Sequence, residues 1–361
     1  MIRTAAFPAR YVQGAGALRQ LGTEAERFAE TVLVIVDQTL PEDVIARVPV
    51  DAAIQMQAVR PECTLAAIAE ATELAKSSCV SAIAGMGGGK VIDLGRASAD
   101  DLGLPFISIP TVAASDAPCS GLSVIYDETD AVVEDRFVRA NPRLVIVDSE
   151  IIAQAPPRFL AAGIGDALAT YYEARACHAA GRANMVGGKQ TRLAMAAAGL
   201  CLDTILEYGS LAMDECRNGA PGEALEAVLE ANILLSGIGF ESGGVAAAHA
   251  IHHGLADLPQ THGALHGEKV AFGVMVELVL NGADTTELTK IAGFCASVGL
   301  PVCLTDLGVE PTPKHFRQIA IRATRQGEII YNEPIEITTE TVAVAIEAAD
   351  QFGTNFCRSA A

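Results

Sequence analysis

The chain has 361 residues, half of them hydrophobic and 19% charged, which is enough apolar material for two packed domains. Its 25 basic and 44 acidic residues give a net charge of −19, so nucleic acid and anionic membranes are poor partners. No stretch approaches the roughly 18 to 20 apolar residues of a membrane span. Arg3, Pro8 and Arg10 interrupt any signal-peptide core. We therefore expect a cytoplasmic protein whose nine cysteines are reduced.

The first part of the chain alternates β-rich runs with helical stretches. Four apolar runs are typical of buried strands: residues 31–36, 80–84, 106–109 and 144–147. Helical composition covers residues 65–76 and 91–97, so the alternation predicts a Rossmann-like parallel α/β sheet. Two further β-rich runs, 122–126 and 131–136, flank Asp127–Asp130 and predict an antiparallel hairpin.

From about Ile151 the composition changes to Ala, Leu and Glu, which predicts an all-helical domain. The predicted helices are residues 166–180, 189–208, 221–237, 267–280, 285–297 and 338–352. The boundary is expected between 148 and 157, where Pro156 and Pro157 interrupt regular structure. We therefore predict an α/β domain over residues 1–155 and a helical domain over residues 156–361.

A glycine-rich loop, Gly85-Met86-Gly87-Gly88-Gly89-Lys90, lies between a predicted strand and a predicted helix. Glycines allow the backbone to approach a diphosphate, and the helix N-terminus offers free N–H groups. The loop is neither G-x-G-x-x-G nor a Walker A motif, and a tight turn is the alternative interpretation. Asp37, at the end of the 31–36 strand, could bind an adenosine ribose and would repel the extra phosphate of NADP.

Five of the seven histidines fall between positions 249 and 266. His249, His252 and His253 have helical spacing, so their rings could share one face. Neutral imidazoles among small residues suit Zn²⁺ or Fe²⁺, and Asp166 supplies a carboxylate at the start of an apolar helix. The alternatives are structural histidines and an aspartate that caps its helix. The cluster favours a metal site.

Together these motifs resemble the iron-containing (group III) alcohol dehydrogenase family, and within it the glycerol dehydrogenases. The resemblance runs from about Thr31 to Gly273 and continues weakly to the C-terminus. It rests on residues 85–93, 109–111, 115–118, 122–126, 163–168, 239–242, 249–252 and 265–273. Ala114, His253 and Gly95-Arg96 depart from the usual pattern, and residues 37–85 span a shorter segment than usual.

The resemblance implies a dehydroquinate synthase-like two-domain architecture and a catalytic zinc held by Asp166, His249 and His266. It implies NAD binding, a hydrogen bond from a substrate hydroxyl to Asp116, and a ring-shaped octamer. The NAD-binding residues are expected to be Asp37, Gly87, Gly88, Gly89, Lys90, Asp93, Thr111, Ser120, Leu122 and Tyr126. A proton relay could fall to His252 or His253, and we assign it to His252, which lies three residues from His249 and matches the family pattern where His253 does not. An exposed or hydrogen-bonded helix histidine is the alternative interpretation.

These parts predict metal-assisted, NAD-linked oxidation of glycerol or a related 1,2-diol, with dihydroxyacetone as the product from glycerol. Another NAD-linked alcohol or polyol dehydrogenase of the same family is the first alternative. A dehydroquinate synthase-like lyase or a glycerol-1-phosphate dehydrogenase would need a basic pocket for its phosphorylated substrate, and the C-terminal half is poor in basic clusters. A silent NAD-binding scaffold is the alternative from another class, but it has no use for an open metal site.

Overall fold

The computed structural model describes residues 2–129 and 131–360, with only the backbone of residue 360 described. Asp130, in the predicted hairpin turn, therefore lies outside the described residues. The chain forms two compact units, and each is described by itself. The α/β unit contains Phe7–Pro157 and Asp214–Gly237. The helical unit contains residues 2–6, Arg158–Met213 and the chain from Ile238 onward.

Within the described residues, the α/β unit contains a six-stranded parallel sheet and a two-stranded antiparallel hairpin. The strands are β1 (Tyr11–Gly14), β2 (Val32–Asp37), β3 (Ile54–Val59), β4 (Ala82–Gly87), β5 (Phe106–Pro110), β6 (Leu122–Tyr126), β7 (Val132–Phe137) and β8 (Leu144–Asp148). The order across the sheet is β1-β8-β5-β4-β2-β3, and β6 pairs with β7. Both the parallel sheet and the hairpin are thus as predicted.

The sheet buries both of its faces. Along β2, Val34 packs into one apolar cluster while Leu33 and Ile35 pack into another. This alternation follows from the two-residue period of a strand. The central strands are therefore continuous apolar runs, which is why the sequence shows them clearly. The two edge strands, β1 and β3, were not predicted, because their half-exposed side chains include polar residues such as Gln55 and Gln57.

The helices of the α/β unit connect and cover the strands. They are α1 (Leu21–Ala25), α2 (Glu42–Ile45), α3 (Leu65–Ser77), α4 (Gly89–Leu102), α5 (Ser149–Ile152) and α8 (Glu223–Glu230). A π-helical segment, Ala231–Leu235, follows α8. Residues 221–237 had been assigned to the helical domain, but Glu226 of α8 accepts hydrogen bonds from Gln13 (2.7 Å) and Ser149 (2.5 Å). These partly buried polar contacts place α8 with the sheet.

The helical unit contains no strand among its described residues apart from one isolated bridge, Arg3 to Lys189. Its helices are α6 (Pro157–Ala179), α7 (Arg192–Arg217), α9 (Ser236–Gly243), α10 (Ala247–Ala256), α11 (His266–Leu280), α12 (Thr285–Val298), α13 (Pro313–Ala323) and α14 (Thr339–Ala360). Pro157 is the first residue of α6. Proline is tolerated there because the N–H group of the first helical residue has no partner within the helix. No helix within the described ranges is long and apolar enough to cross a membrane.

Candidate functional site

Two helices of the helical unit approach each other through glycine. A Cβ on Gly165 of α6 would lie 2.3 Å from the carbonyl oxygen of Gly267, and one on Gly267 of α11 would lie 1.7 Å from that of Ala162. Only hydrogen fits at either position, so the two backbones touch. Asp166 follows Gly165 and His266 precedes Gly267, so this contact brings the two side chains together.

A third helix, α10, also packs closely against α11 through a glycine. A Cβ on Gly273 of α11 would lie 2.3 Å from the carbonyl oxygen of Ala248, the residue before His249 on α10. The small residues around His249 thus serve close helix packing, in the way that small residues allow helical backbones to approach. The three predicted ligands come from three different helices: α6, α10 and α11.

Asp166, His249 and His266 converge within the helical unit. The Nε2 atoms of His249 and His266 lie 3.4 and 3.1 Å from Asp166 Oδ1. One ligand atom from each residue can be chosen so that all three lie within 4.8 Å of one another. A carboxylate and two imidazoles form a donor set that suits a divalent transition metal, and three protein ligands leave a position open for substrate. The arrangement fits a catalytic metal site.

The electrostatics of the cluster favour an ionised Asp166. Burial by itself would raise the pKa of this carboxyl, but the charge of His266 and the hydrogen bonds from both histidines outweigh burial and lower it. Burial likewise opposes the charged form of His249, yet the negative charge of Glu173 raises the pKa of this imidazole well above its ordinary value. The acidic groups Asp166 and Glu173 therefore favour a cation at this position.

Each histidine of the cluster has a second partner on its Nδ1 atom. His249 Nδ1 lies 2.6 Å from Glu173 Oε2, and His266 Nδ1 lies 3.2 Å from His252 Nε2. Such partners orient metal-binding imidazoles and fix which nitrogen carries the proton. Burial, followed by the charge of His266, lowers the pKa of His252 well below its ordinary value. His252 thus meets the cluster as a neutral ring.

Three buried glutamates surround the first turn of α10, and we call them the three-glutamate cap: Glu173, Glu277 and Glu333. Their exposed fractions are 0%, 2% and 3%. The N-cap of α10 is an alanine, whose side chain cannot accept a hydrogen bond. The cap supplies the missing acceptors: Ala246 N and His249 N donate to Glu173 (both 2.9 Å), Ala247 N donates to Glu333 (3.0 Å), and Ala248 N donates to Glu277 (3.1 Å).

The three-glutamate cap was not predicted from the sequence. One signal was available, because Glu173 follows Asp166 by seven residues, or two turns, and so shares its helix face. Glu277 also stands alone inside the apolar run of α11. Glu333 precedes α14 by several residues and lacks any local signal, since only the tertiary fold brings it to α10.

The glycine loop lies at the carboxyl end of β4, where α4 begins. A Cβ on Gly87 would come within 2.9 Å of Val91 and 3.1 Å of the Cβ of Asp37, so the predicted ribose-binding residue lies directly beside the loop. A Cβ on Gly89 would meet nothing within 4 Å. The N-cap Gly88 has no side chain, so no side-chain cap bond takes up the first N–H groups of α4. This geometry fits a phosphate-binding loop.

Several other predicted cofactor residues lie in the same part of the α/β unit. Lys90 Nζ lies 5.0 Å from the ring centre of Tyr126. The amide of Thr111 donates to Gly87 O (3.1 Å), and the buried Thr111 hydroxyl makes no hydrogen bond to the described residues. A buried polar group without a partner is a position where a ligand is expected. Ser120 Oγ donates to a carbonyl of its own loop at 3.3 Å.

Both carboxylate oxygens of Asp93 accept hydrogen bonds from the protein itself. Its Oδ1 accepts from the buried Arg96 (2.5 Å), and its Oδ2 accepts from Val124 N (3.1 Å). Arg96 also donates to the carbonyl oxygens of Leu122 and Ala117. Burial raises the pKa of the Asp93 carboxyl to about 6 despite the opposing effect of Arg96. One carboxylate oxygen thus binds β6 directly, and the other binds the Arg96 that holds β6 and the loop before it, which indicates a framework role.

The predicted substrate residue Asp116 lies in that loop. Its Oδ2 accepts from the buried Ser236 hydroxyl at 3.1 Å, and its carbonyl accepts from Cys119 N at 3.0 Å. In the helical unit, His253 pairs with Glu328 (3.0 Å) and takes no part in the cluster. Of the two histidines weighed for a proton relay, only His252 contacts a predicted ligand.

Comparison with known proteins agrees with the fold. The family model of the iron-containing alcohol dehydrogenases matches residues 8–149. A glycerol dehydrogenase of Pseudomonas putida is 44% identical over 99% of both chains. A glycolaldehyde reductase of Halobacterium salinarum is 39% identical over 96% of both. The crystal structure of a probable glycerol dehydrogenase from Sinorhizobium meliloti covers 98% of this chain and 99% of its own, at 38% identity and a TM-score of 0.92.

The chain belongs to the iron-containing alcohol dehydrogenase family. It is an oxidoreductase with the two-part α/β and helical architecture of that family, as the resemblance implied. The rival assignments to a lyase or a silent scaffold are therefore set aside.

Proposed function

We propose that this protein oxidises glycerol or a closely related 1,2-diol with NAD, and that it uses one divalent metal. The observation that carries the proposal is the convergence of Asp166, His249 and His266 in a chain that is 44% identical to a glycerol dehydrogenase along its whole length. The product from glycerol is dihydroxyacetone.

We assign the metal to Asp166 Oδ1 and to the Nε2 atoms of His249 and His266, because these atoms already face one another. Zn²⁺ is the first choice and Fe²⁺ the second, since both accept a mixed carboxylate and imidazole set. The bound metal would supply the positive charge that lowers the pKa of a substrate hydroxyl. Glu173 and His252 hold the two imidazoles with their Nε2 atoms directed at Asp166.

We assign NAD to the glycine loop and its surroundings. Gly88 and Gly89 leave room for the diphosphate beside the closely packed Gly87, and the start of α4 offers N–H donors to it. Asp37, beside Gly87, accepts from the ribose hydroxyls and disfavours NADP through its charge. The remaining contacts are assigned to Lys90, Thr111, Ser120, Leu122 and Tyr126. Asp93 supports β6 and the chain before it, and it is assigned no direct contact with NAD.

Two residues are assigned to the substrate. Asp116, fixed by Ser236, accepts a hydrogen bond from a hydroxyl of the diol. His252, in contact with His266, carries the released proton from the site. Exchanging Asp116 for Asn keeps its shape and removes its charge, so kcat/KM should fall more for glycerol than for a simple secondary alcohol. An equal fall for both would remove Asp116 from substrate recognition.

The test is a panel of alcohols, 1,2-diols, α-hydroxyketones and hydroxyaldehydes, assayed by NADH absorbance with defined metals. We expect glycerol or another vicinal diol to give the highest kcat/KM. Chelator should abolish the rate, and Zn²⁺ or Fe²⁺ should restore it. No NADH change with any member of the panel after metal loading would contradict the proposal.

The glycolaldehyde reductase relative favours a second candidate, the reduction of a hydroxyaldehyde to its diol. The same panel separates the two, because that activity would give its highest kcat/KM with glycolaldehyde and NADH. For the assembly we propose a homo-oligomer, an octamer by resemblance, to be measured by light scattering of the purified protein.

A further inference from the structure

Glu173 differs from the other members of the three-glutamate cap in what it touches. Glu277 and Glu333 contact backbone N–H groups of α10 but not the His249 ring, whereas Glu173 also contacts that ring. Its two oxygens have separate tasks. Oε1 accepts from Ala246 N and His249 N, and Oε2 lies 2.6 Å from His249 Nδ1.

This division of tasks determines where the imidazole proton lies. Backbone N–H groups can only donate, so Oε1 must act as an acceptor. An ionised carboxylate is an acceptor at both oxygens, so Oε2 requires a proton on His249 Nδ1. The lone pair of the neutral ring is then on Nε2, the atom that lies 3.4 Å from Asp166 Oδ1. The ring is therefore prepared to bind a metal through Nε2.

We propose that Glu173 is a positioning residue that selects the metal-binding tautomer of His249, in addition to capping α10. This inference rests on the metal site of the proposed function. The cap couples ring and helix, because one side chain holds both the amide and the imidazole of His249. Its carboxylate would also place a second negative charge, beside that of Asp166, near a bound divalent cation.

The substitution Glu173→Gln separates the two roles. The glutamine side chain has one oxygen and one NH₂ group. The two backbone donors require the oxygen at the Oε1 position, so the NH₂ group must face His249 Nδ1. A ring that accepts at Nδ1 carries its proton on Nε2 and cannot bind the metal through that atom. Glu173→Gln thus retains the acceptor for the helix but imposes the wrong tautomer.

The first measurement is the affinity for Zn²⁺, determined by competition with a chromophoric chelator for the full chain. We expect Glu173→Gln to lower the affinity about 10- to 100-fold, the usual effect of removing such a partner. Glu277→Gln and Glu333→Gln are the matched controls, since they alter acceptors on the same helix turn without touching the ring. Their affinities should stay within about threefold of the wild type, whatever happens to their melting temperatures.

The second measurement reads the tautomer directly and needs no variant to fold. In the ¹⁵N-histidine-labelled, Zn²⁺-loaded wild type, NMR should show a downfield proton on a zinc-bound ring at Nδ1, as expected for a short bond to a carboxylate. Absence of that signal in a protein that binds zinc would overturn the inference. An affinity of Glu173→Gln equal to wild type, or an equal loss in both controls, would also overturn it. If the wild type binds no metal, the proposed function fails first and this inference fails with it.

Discussion

In the helical unit the candidate metal ligands come from three helices separated by up to 100 residues, whereas in the α/β unit the glycine loop is a run of consecutive residues. The metal cluster is held by buried side chains and by glycines at helix contacts. The loop is held by its own backbone at the end of one strand. A change near the metal should therefore affect folding and metal affinity together, while a change near the loop should affect cofactor use alone.

The largest expected effect is loss of activity on removal of His249, a proposed metal ligand, compared with removal of His252, which contacts a ligand but is not one. His249→Ala removes an imidazole of the donor set, so it should lose bound metal and lower kcat/KM by about 1,000-fold or more, since a catalytic metal is worth several kcal/mol of transition-state stabilisation. His252→Ala leaves all three ligands in place, so it should retain metal but lower kcat and alter its pH profile. Metal content by elemental analysis and pH–rate profiles check this pair.

If both variants lose metal equally, the ligand assignment is wrong. If His252→Ala changes neither the rate nor the pH profile, the proton relay is wrong and His252 serves only to orient His266.

The next effect tests the helix contact that brings two ligands together. A Cβ on Gly267 would lie 1.7 Å from a backbone carbonyl, so Gly267→Ala should destabilise the protein by about 3 kcal/mol or more and weaken metal binding. Gly199→Ala is the matched control, because its Cβ would meet nothing within 4 Å on α7. That control should be neutral or stabilising by about 0.5 to 1 kcal/mol. Equal urea unfolding midpoints for Gly267→Ala and Gly199→Ala would show that the close contact between α6 and α11 is absent.

The same contrast explains which features could be predicted from the sequence. The buried strands and the glycine loop were predictable because their signals are local: an apolar run such as that of β2, or four glycines within five residues. The edge strand β3 was missed because its pattern mixes polar and apolar residues. The placement of α8 beside the sheet was missed because it depends on contacts of Glu226 with residues far away in the chain.

In the metal cluster the ligands were predictable and their supports were not. The histidine spacing and the resemblance indicated Asp166, His249 and His266. No local pattern indicated that Glu173 and Glu333 would meet at α10, because 160 residues and several helices separate them in sequence. A buried carboxylate becomes interpretable only when its donors are known, and those donors are backbone amides that every helix has.

A smaller effect is expected in the glycine loop region. Asp37 accepts from Thr39 N (2.8 Å) and Thr39 Oγ1 (2.7 Å) through Oδ1. Asp37→Asn keeps an acceptor there and removes the charge, so kcat/KM with NADP should rise relative to NAD by about tenfold. Asp37→Gly should also reduce the difference between the kcat/KM values with NAD and with NADP. Metal affinity should not change in either variant. A wild type that uses both cofactors equally would show that Asp37 does not face the ribose.

The smallest effect concerns the pH dependence of stability and involves Glu333, which belongs to the three-glutamate cap. Burial, which is opposed by the hydrogen bonds from Asn281 and Ala247, raises the pKa of this carboxyl from 4.5 to about 7. Between pH 4.5 and about 7, Glu333 therefore holds a proton in the folded protein that it has lost in the unfolded chain. The corresponding stabilisation is complete below about pH 4.5 and is lost as the pH rises through about 7.

Glu333→Gln cannot titrate, so the fall in the free energy of unfolding between pH 5 and 7 should be shallower than in the wild type. The difference should be at most about 1.4 kcal/mol per pH unit, the slope for one proton. This slope is measured by urea titrations at several pH values. A chelator is present so that the pH dependence of metal binding does not contribute. Glu336→Gln, which alters an exposed carboxylate three residues away, should keep the wild-type slope. If Glu333→Gln keeps the same slope too, Glu333 is ionised throughout this range, and the N–H groups of Ala247 and Asn281 then stabilise its charge.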